Sequence, residues 1–170
     1  MKTICLIGMM GTGKTTISAA LANKFNLKNI DTDLEIQKLL NMSISDIFAL
    51  KGEDFFRKTE SEFILNNVKN SDMIVSVGGG AFENNITREF LLKNTYVIYL
   101  QSCAETIFQR IKDGKSRPLL ADNMSIENIK RIISNRDKHY KLAHYTICTD
   151  NKNIDTIVRE ITDCLSSESI

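Results

Sequence analysis

Several residue types are scarce in this chain of 170 residues. It has one proline, no tryptophan and only two histidines. Its four cysteines are Cys5, Cys103, Cys148 and Cys164, and they form no C-x-x-C pair. Without paired cysteines or clustered histidines, no zinc or other transition-metal site is expected. We predict reduced thiols that are buried in or beside apolar strands.

The chain also lacks an excess of charge and a long hydrophobic run. Lys+Arg 22 against Asp+Glu 21 leave a formal net charge of +1, which gives no field to hold a polyanion, so no nucleic-acid partner is predicted. The first apolar run, Thr3–Ile7, is too short for a signal peptide or a membrane span. We therefore expect a cytoplasmic protein with no membrane partner. No obvious apolar patch demands a second subunit, and a monomer is predicted.

The composition and the alternation of apolar runs with helical segments together predict the fold class. Hydrophobic residues make up 42% and charged residues 25%, as in ordinary globular proteins, and the length fits a single domain over 1–170. Short apolar runs alternate with stretches of helical period, which indicates a three-layer α/β/α fold around a central five-stranded parallel sheet. Strands are predicted at Thr3–Ile7, Asn29–Thr32, Met73–Val77, Thr95–Leu100 and Tyr145–Cys148. Helices are predicted at 14–25, 33–40, 45–50, 53–69, 84–93, 103–112, 125–141 and 153–165.

The segment Gly8–Thr15 reads GMMGTGKT and fits the phosphate-loop pattern G-x-x-x-x-G-K-[ST] between a predicted strand and a predicted helix. Its glycines let backbone N–H groups and the helix N-terminus face phosphate oxygens. Lys14 should reach the β- and γ-phosphates of ATP, and the Thr15 hydroxyl should ligate Mg²⁺. The predicted ATP-binding residues of this P-loop NTPase architecture are Gly11, Thr12, Gly13, Lys14, Thr15 and Thr16.

Two carboxylates, Asp31 and Asp33, follow the second predicted strand. In extended backbone residues two apart point the same way, so both can face one site. We assign Asp31 to the metal and Asp33 to the proton of the attacking hydroxyl. Taken alone, such a pair is as often a helix cap, because Asp33 could cap a helix that starts at Leu34. The neighbouring phosphate loop favours the catalytic interpretation.

Five motifs occur in order along essentially the whole chain: Gly8–Thr15, Asp31–Asp33, Gly52–Glu60, Gly78–Gly80 and Arg117–Leu120. Their order and spacing resemble the shikimate kinases. The resemblance implies transfer of the γ-phosphate of ATP to the 3-hydroxyl of shikimate, with Mg²⁺ as cofactor, in the chorismate pathway to aromatic amino acids. It also implies a substrate-binding region at about 33–61 and a mobile lid at about 112–124.

The same resemblance implies how shikimate is held. Arg57 and Arg136 would bind its carboxylate, Glu60 would steady Arg57, and Asp33 would contact the reacting hydroxyl. The other implied contacts are an apolar wall of Phe48 and Phe56 and the backbone of Gly78, Gly79 and Gly80. From the residues alone, Arg57 fits a solvated helical face, the two phenylalanines fit the core, and the glycines fit a flexible linker.

Two further arginines are implied on the ATP side. Arg110 would stack on adenine, although its helical position fits solvent exposure nearly as well. Arg117, the third catalytic residue beside Asp33 and Lys14, would fold over the phosphates and cancel charge on the transferred group while the lid excludes water.

Two other functions remain open at this point. One is another small-molecule P-loop kinase, acting on gluconate or a nucleoside monophosphate. The other is a non-catalytic ATP-dependent switch, which would need Lys14 and Thr15 but no carboxylates or arginines for a second substrate. Arg57 together with the triple glycine favours a small carboxylated acceptor.

Overall fold

The computed structural model describes residues 2–68, 72–112 and 125–166. Five strands form one parallel sheet: β1 (Thr3–Ile7), β2 (Lys28–Asp31), β3 (Met73–Ser76), β4 (Thr95–Gln101) and β5 (Tyr145–Cys148). Their order is β2-β3-β1-β4-β5. Strands β3 and β4 therefore flank β1, and the crevice at the carboxyl ends of such strands is where α/β sheets bind ligands.

Seven α-helices connect and cover the strands in the described ranges. They are α1 (Lys14–Phe25), α2 (Thr32–Leu40), α3 (Ile44–Asn67), α4 (Asn85–Asn94), α5 (Ala104–Ile111), α6 (Ile126–Tyr140) and α7 (Ile154–Ser166). A short 3₁₀ turn, Ala81–Glu83, which the sequence patterns did not predict, precedes α4.

Strand β1 shows why the fold has three layers. All of its residues are buried, which is typical of a strand covered on both faces. Cys5 and Ile7 join one core cluster with side chains of α3, α4, α5 and α6. Ile4 and Leu6 point the other way, into a second cluster with side chains of α1 and α7. The predicted α/β/α architecture is thereby confirmed.

The helices predicted at 45–50 and 53–69 form one element, α3, with a break at Gly52. This glycine has φ 83° and ψ 166°, which is not helical and which residues with a Cβ rarely adopt. The second half ends at Asn67, while residue 69 lies outside the described residues. Near the break, Ile47 and Phe56 pack with Ile36 of α2 in a third, small core. The region that carries Arg57 is thus anchored by its own hydrophobic cluster.

The prediction of buried thiols is only partly correct. All four cysteines are free, but only Cys5 is buried, and Cys103 and Cys148 are exposed. Cys148 is the last residue of β5 and Cys103 lies just after β4, where the sheet opens into loops. No helix in the described part of the chain is long and apolar enough to cross a membrane.

Candidate active site

The phosphate loop connects β1 to α1 at the carboxyl end of the sheet. Gly13 caps α1 with a left-handed backbone, at φ 95°, so that the chain turns directly into the helix. Thr12 is buried, and its hydroxyl donates to the carbonyl of Met9 at 2.8 Å, which closes the loop on itself. The loop is therefore shaped by internal bonds, and its N–H groups lie at the positive end of α1.

Lys14 lies against the rim of this loop. Its Nζ donates to the carbonyls of Gly8 at 2.9 Å and Met9 at 3.0 Å. A cavity of about 290 Å³ opens beside it. Among the predicted site residues, the lining of this cavity includes Gly11, Gly13, Lys14, Thr15, Thr16, Asp31, Asp33 and Arg110. The structure therefore brings the phosphate loop, the acidic pair and one arginine together around one space.

The residues at the floor of the cavity fit a magnesium ion. Thr15 Oγ1 donates to Asp31 Oδ2 at 2.7 Å, and Ser76 Oγ donates to the same oxygen at 3.0 Å. Mg²⁺ prefers such hard oxygen ligands and usually takes only one or two from protein, with water and phosphates supplying the others. Within the described ranges no three acidic, histidine or cysteine side chains form a metal cage. The arrangement suits an ion shared with nucleotide phosphates.

The geometry of the acidic pair differs from the prediction. Helix α2 begins at Thr32, so Asp33 lies in the first helical turn and not in extended chain. The cap of α2 is Asp31, whose Oδ1 accepts the N–H groups of Asp33 at 3.1 Å and Leu34 at 3.3 Å. Asp33 is therefore not the cap. Both carboxylates still line one cavity, because the helix starts at the edge of that cavity.

Arg57 is held by two carboxylates of its own helix. Its Nη1 donates to Glu60 Oε2 at 2.8 Å, and its Nε and Nη2 donate to Glu53 Oε1 at 3.2 and 3.1 Å. Burial alone would lower the pKa of Arg57, but the charges and hydrogen bonds of Glu60 and Glu53 raise it on balance. The guanidinium is a fixed cation, oriented before any substrate carboxylate arrives.

Glu60 is a buried carboxyl, only 1% exposed, and its Oε1 has no hydrogen-bond partner in the described part of the structure. Burial raises its pKa to about 7, opposed by the charge of Arg57 and assisted by the charge of Asp33. This carboxyl is therefore more easily protonated than an exposed one.

The triple glycine after β3 lets these side chains converge. A Cβ on Gly78 would lie 2.2 Å from Glu60 Oε1 and 2.8 Å from Asp33 Oδ1. A Cβ on Gly80 would lie 2.5 Å from Arg57 Cζ, and one on Gly79 would lie 3.1 Å from Arg136 Nη1. These distances leave no room for side chains at Gly78 or Gly80. Glycine is needed here because charged groups approach the backbone, and the segment is not a linker.

Phe56 and Phe48, the predicted apolar wall, pack in and against the small hydrophobic core. Phe56 is 3% exposed and belongs to the small cluster with Ile36 and Ile47, while Phe48 packs at its edge. The two rings lie 5.2 Å apart, and Arg57 Cζ lies 5.2 Å from the Phe56 ring and 6.0 Å from the Phe48 ring. Their first role is to support Arg57, and a contact with substrate remains a prediction.

Arg136 and Arg110 reach the site from two different helices. Arg136, on α6, points an Nη1 to within 3.6 Å of Met9 Sδ and lies over Gly79. Arg110, on α5, donates to the carbonyls of Gly11 at 3.2 Å and Thr149 at 3.1 Å. Arg110 also borders a second cavity, of about 260 Å³, with Thr149. The guanidinium is thus tied to the phosphate loop rather than free in solvent, and stacking on adenine remains a prediction.

One predicted site residue lies outside the described part of the chain, and some residues at the site were not predicted from the sequence. Arg117 and nearly all of the predicted lid lie outside the described residues. Sequence reasoning missed Ser76 at the metal floor and Thr149 beside Arg110. Both are ordinary residue types, and only a position at or just after the end of a strand pointed towards the site.

Comparisons with known proteins agree with this geometry. The family model described as shikimate kinase matches residues 10–166. A shikimate kinase of Sulfurihydrogenibium sp. is 39% identical over 161 residues, which cover 95% of this chain and 96% of that protein. The structure of an Acinetobacter baumannii shikimate kinase in complex with shikimate has a TM-score of 0.93 at 32% identity, covering 100% of this chain and 96% of that one.

A gluconokinase from Sinorhizobium meliloti shares the fold alone. Its TM-score is 0.58 at 14% identity, over 99% of this chain and 93% of that chain. General architecture therefore does not separate the possible acceptors, and the acceptor side of the site has to do so.

Proposed function

The chain belongs to the shikimate kinase family and is an ATP-dependent kinase, and on that premise we propose how its own residues transfer the γ-phosphate of ATP to the 3-hydroxyl of shikimate. The observation that carries the proposal is the convergence of Asp33, Arg57, Glu60 and Arg136 on the triple glycine. The products are shikimate 3-phosphate and ADP.

The acceptor is held by its carboxylate. Arg57 and Arg136 approach the glycine segment at Gly80 and Gly79, and a guanidinium can bind a carboxylate through two parallel hydrogen bonds. Glu53 and Glu60 hold Arg57 in one orientation, which lowers the entropy lost when the substrate binds. Binding at the carboxylate then directs a ring hydroxyl towards Asp33.

Asp33 accepts the proton of that hydroxyl as the oxygen attacks the γ-phosphorus in line with the leaving ADP oxygen. Lys14 exchanges its contacts with loop carbonyls for phosphate oxygens, and with the loop N–H groups it stabilises the charge that develops on the transferred group. Arg117 is proposed to cover the phosphates from the lid. Arg110 is proposed to hold the nucleotide at its second cavity.

We propose that Thr15 and Asp31 hold Mg²⁺, with Ser76 orienting Asp31. When bound, the ion would partly neutralise the negative charge of the ATP phosphates. Titrating Mg²⁺ into the assay with Thr15→Val, which keeps the side-chain shape, should show a raised Mg²⁺ requirement. An unchanged Mg²⁺ dependence would remove Thr15 from the metal site.

The first experiment is a choice of acceptors. The purified chain with MgATP is assayed for ADP release with shikimate, without acceptor, and with gluconate or a nucleoside monophosphate. Turnover that depends on shikimate is expected. Turnover only with another acceptor would leave the phosphate site intact and reassign Arg57 and Arg136, whereas no turnover with any acceptor would favour a switch.

The carboxylate assignment has its own test in Arg57→Ala. Loss of the charged hydrogen bonds should weaken shikimate binding by about 10- to 100-fold, which corresponds to roughly 1.5–3 kcal/mol. The Kd is measured by calorimetry without ATP. Lys58→Ala, which removes an exposed neighbouring cation, is the matched control and should leave the Kd unchanged. Equal Kd values for both variants would contradict the assignment.

We further propose that the chain works as a single-domain monomer in the cytoplasm. Support comes from the balanced charge and from the single sheet that unites the two large core clusters. Light scattering on a size-exclusion column tests the oligomeric state, and a mass of twice 19.2 kDa would contradict the monomer.

A further inference from the structure

Tyr140 is the last residue of α6 and one helical turn beyond Arg136. It is fully buried, and its hydroxyl donates a hydrogen bond to the carbonyl of Gly79. Burial raises the pKa of Tyr140 to about 12, so the hydroxyl keeps its proton at any working pH and remains a donor.

The peptide that receives this bond is the central peptide of a turn, and its hydrogen bond comes from a remote side chain rather than from the backbone of the turn. Gly78 N–H donates to Thr32 Oγ1, and the Gly78 carbonyl accepts from Ala81. The Gly80 carbonyl accepts from Glu83. Between these fixed groups, the Gly79–Gly80 peptide accepts the hydrogen bond from Tyr140, and within the described residues it makes no other. Flanked by two glycines, it could otherwise rotate at little steric cost.

Fixing that carbonyl fixes an N–H group as well. The carbonyl of Gly79 and the N–H of Gly80 belong to one planar peptide, and with no cis bond in the described chain they point in opposite directions. Tyr140 draws the carbonyl towards α6, so the Gly80 N–H is directed away from it. Gly80 is the residue against which the Arg57 guanidinium lies.

We propose that Tyr140 is a positioning residue for the acceptor, whose hydroxyl holds the Gly79–Gly80 peptide so that the Gly80 N–H can donate to a bound shikimate oxygen. This inference rests on the proposed function and adds a residue that touches neither substrate nor nucleotide. It gives the end of α6 a role in acceptor affinity, alongside the direct contact expected of Arg136.

The test compares two buried tyrosines that stack on each other. The ring centroids of Tyr99 and Tyr140 lie 4.9 Å apart, and the Tyr99 hydroxyl lies near Gln101 and Asp137. Tyr140→Phe should raise the KM for shikimate about three- to tenfold, as expected for one lost hydrogen bond, with the KM for ATP unchanged. Tyr99→Phe should leave both constants unchanged while losing a similar amount of stability.

Equal constants for the two variants, or a parallel rise of both KM values in Tyr140→Phe, would overturn the proposal. A second measurement does not depend on the variants. The chain has eight glycines, so ¹⁵N-glycine labelling resolves the Gly80 amide, which should shift when shikimate is added without ATP. A Gly80 signal that stays in place while other glycines shift would also overturn it. Absence of any shikimate binding or turnover by the unmodified chain would instead reject the proposed function.

Discussion

The phosphate loop and the acceptor pocket lie next to each other at the carboxyl ends of the strands, but the chain builds them in different ways. The loop is one continuous segment whose shape comes from its own glycines and from the Thr12 hydroxyl bond to Met9. The pocket combines side chains from α2, α3 and α6 around three glycines after β3.

The two regions also use charge differently. The loop offers N–H groups and Lys14 to an anion and needs no carboxylate. The acceptor pocket pairs Arg57 with two acids, Glu53 and Glu60. If Arg57 and Arg136 bind the substrate carboxylate as proposed, a ligand without a carboxylate would leave both guanidinium groups without that contact, and we expect the pocket to discriminate against it. Substitutions in the pocket should therefore raise the KM for shikimate and leave the KM for ATP unchanged.

The largest effect is expected at Asp33, where the two regions meet. Asp33→Asn removes the proton acceptor but keeps the size of the side chain, so kcat should fall by about 10²- to 10⁴-fold. Steady-state kinetics with both substrates measure it. Asp54→Asn, an exposed change on α3, is the control and should leave kcat within about twofold of the original value. A kcat for Asp33→Asn equal to that of the control would exclude Asp33 as the base.

A smaller and more selective effect is expected from Gly80→Ala. The new Cβ would meet the Arg57 guanidinium at 2.5 Å, so Arg57 must move away from its position between Glu53 and Glu60. The KM for shikimate should rise by about 10-fold or more, while the KM for ATP stays the same. Lys58→Ala serves as the control, because it is an exposed change next to Arg57 that leaves the guanidinium in place, and it should change neither KM. Equal changes in both KM values would show that the two regions are not independent.

The last and smallest predicted effect concerns the stability of the fold and comes from a pH experiment on Glu60. The pKa of this carboxyl is about 7 in the folded chain against 4.5 for the free side chain. Between these values the folded state holds a proton that the unfolded state has lost, so stability falls as pH rises. The slope is at most about 1.4 kcal/mol per pH unit, and the contribution is fully present only below the lower value.

Urea unfolding at about pH 4 and about pH 8 brackets this window. Glu60→Gln, which cannot ionise, should remove that part of the fall, and the exposed Glu62→Gln should retain it. If Glu60→Gln keeps the same loss of stability with pH, the buried carboxyl is not its source.

The phosphate loop and the acceptor pocket also differ in how well the sequence predicted them. The phosphate loop, the five strands and the covered sheet could be predicted because period and glycine spacing are local signals. The prediction that Asp31 and Asp33 face one site rested on an extended backbone, which was wrong. Helix α2 begins one residue earlier than expected, and Asp31 caps it. Strand and helix ends depend on capping and tertiary contacts, which periodicity does not report.

By itself, the sequence determined the order of strands and helices and the motif that binds phosphate. Through resemblance, it also predicted which residues belong to the acceptor side. Only the tertiary structure decided that Glu60 is buried behind Arg57, that Ser76 and Thr15 share an Asp31 oxygen, and that Tyr140 reaches Gly79. The physical reason is distance along the chain. Burial and hydrogen bonding between remote segments arise from packing, and no local pattern of residues encodes them.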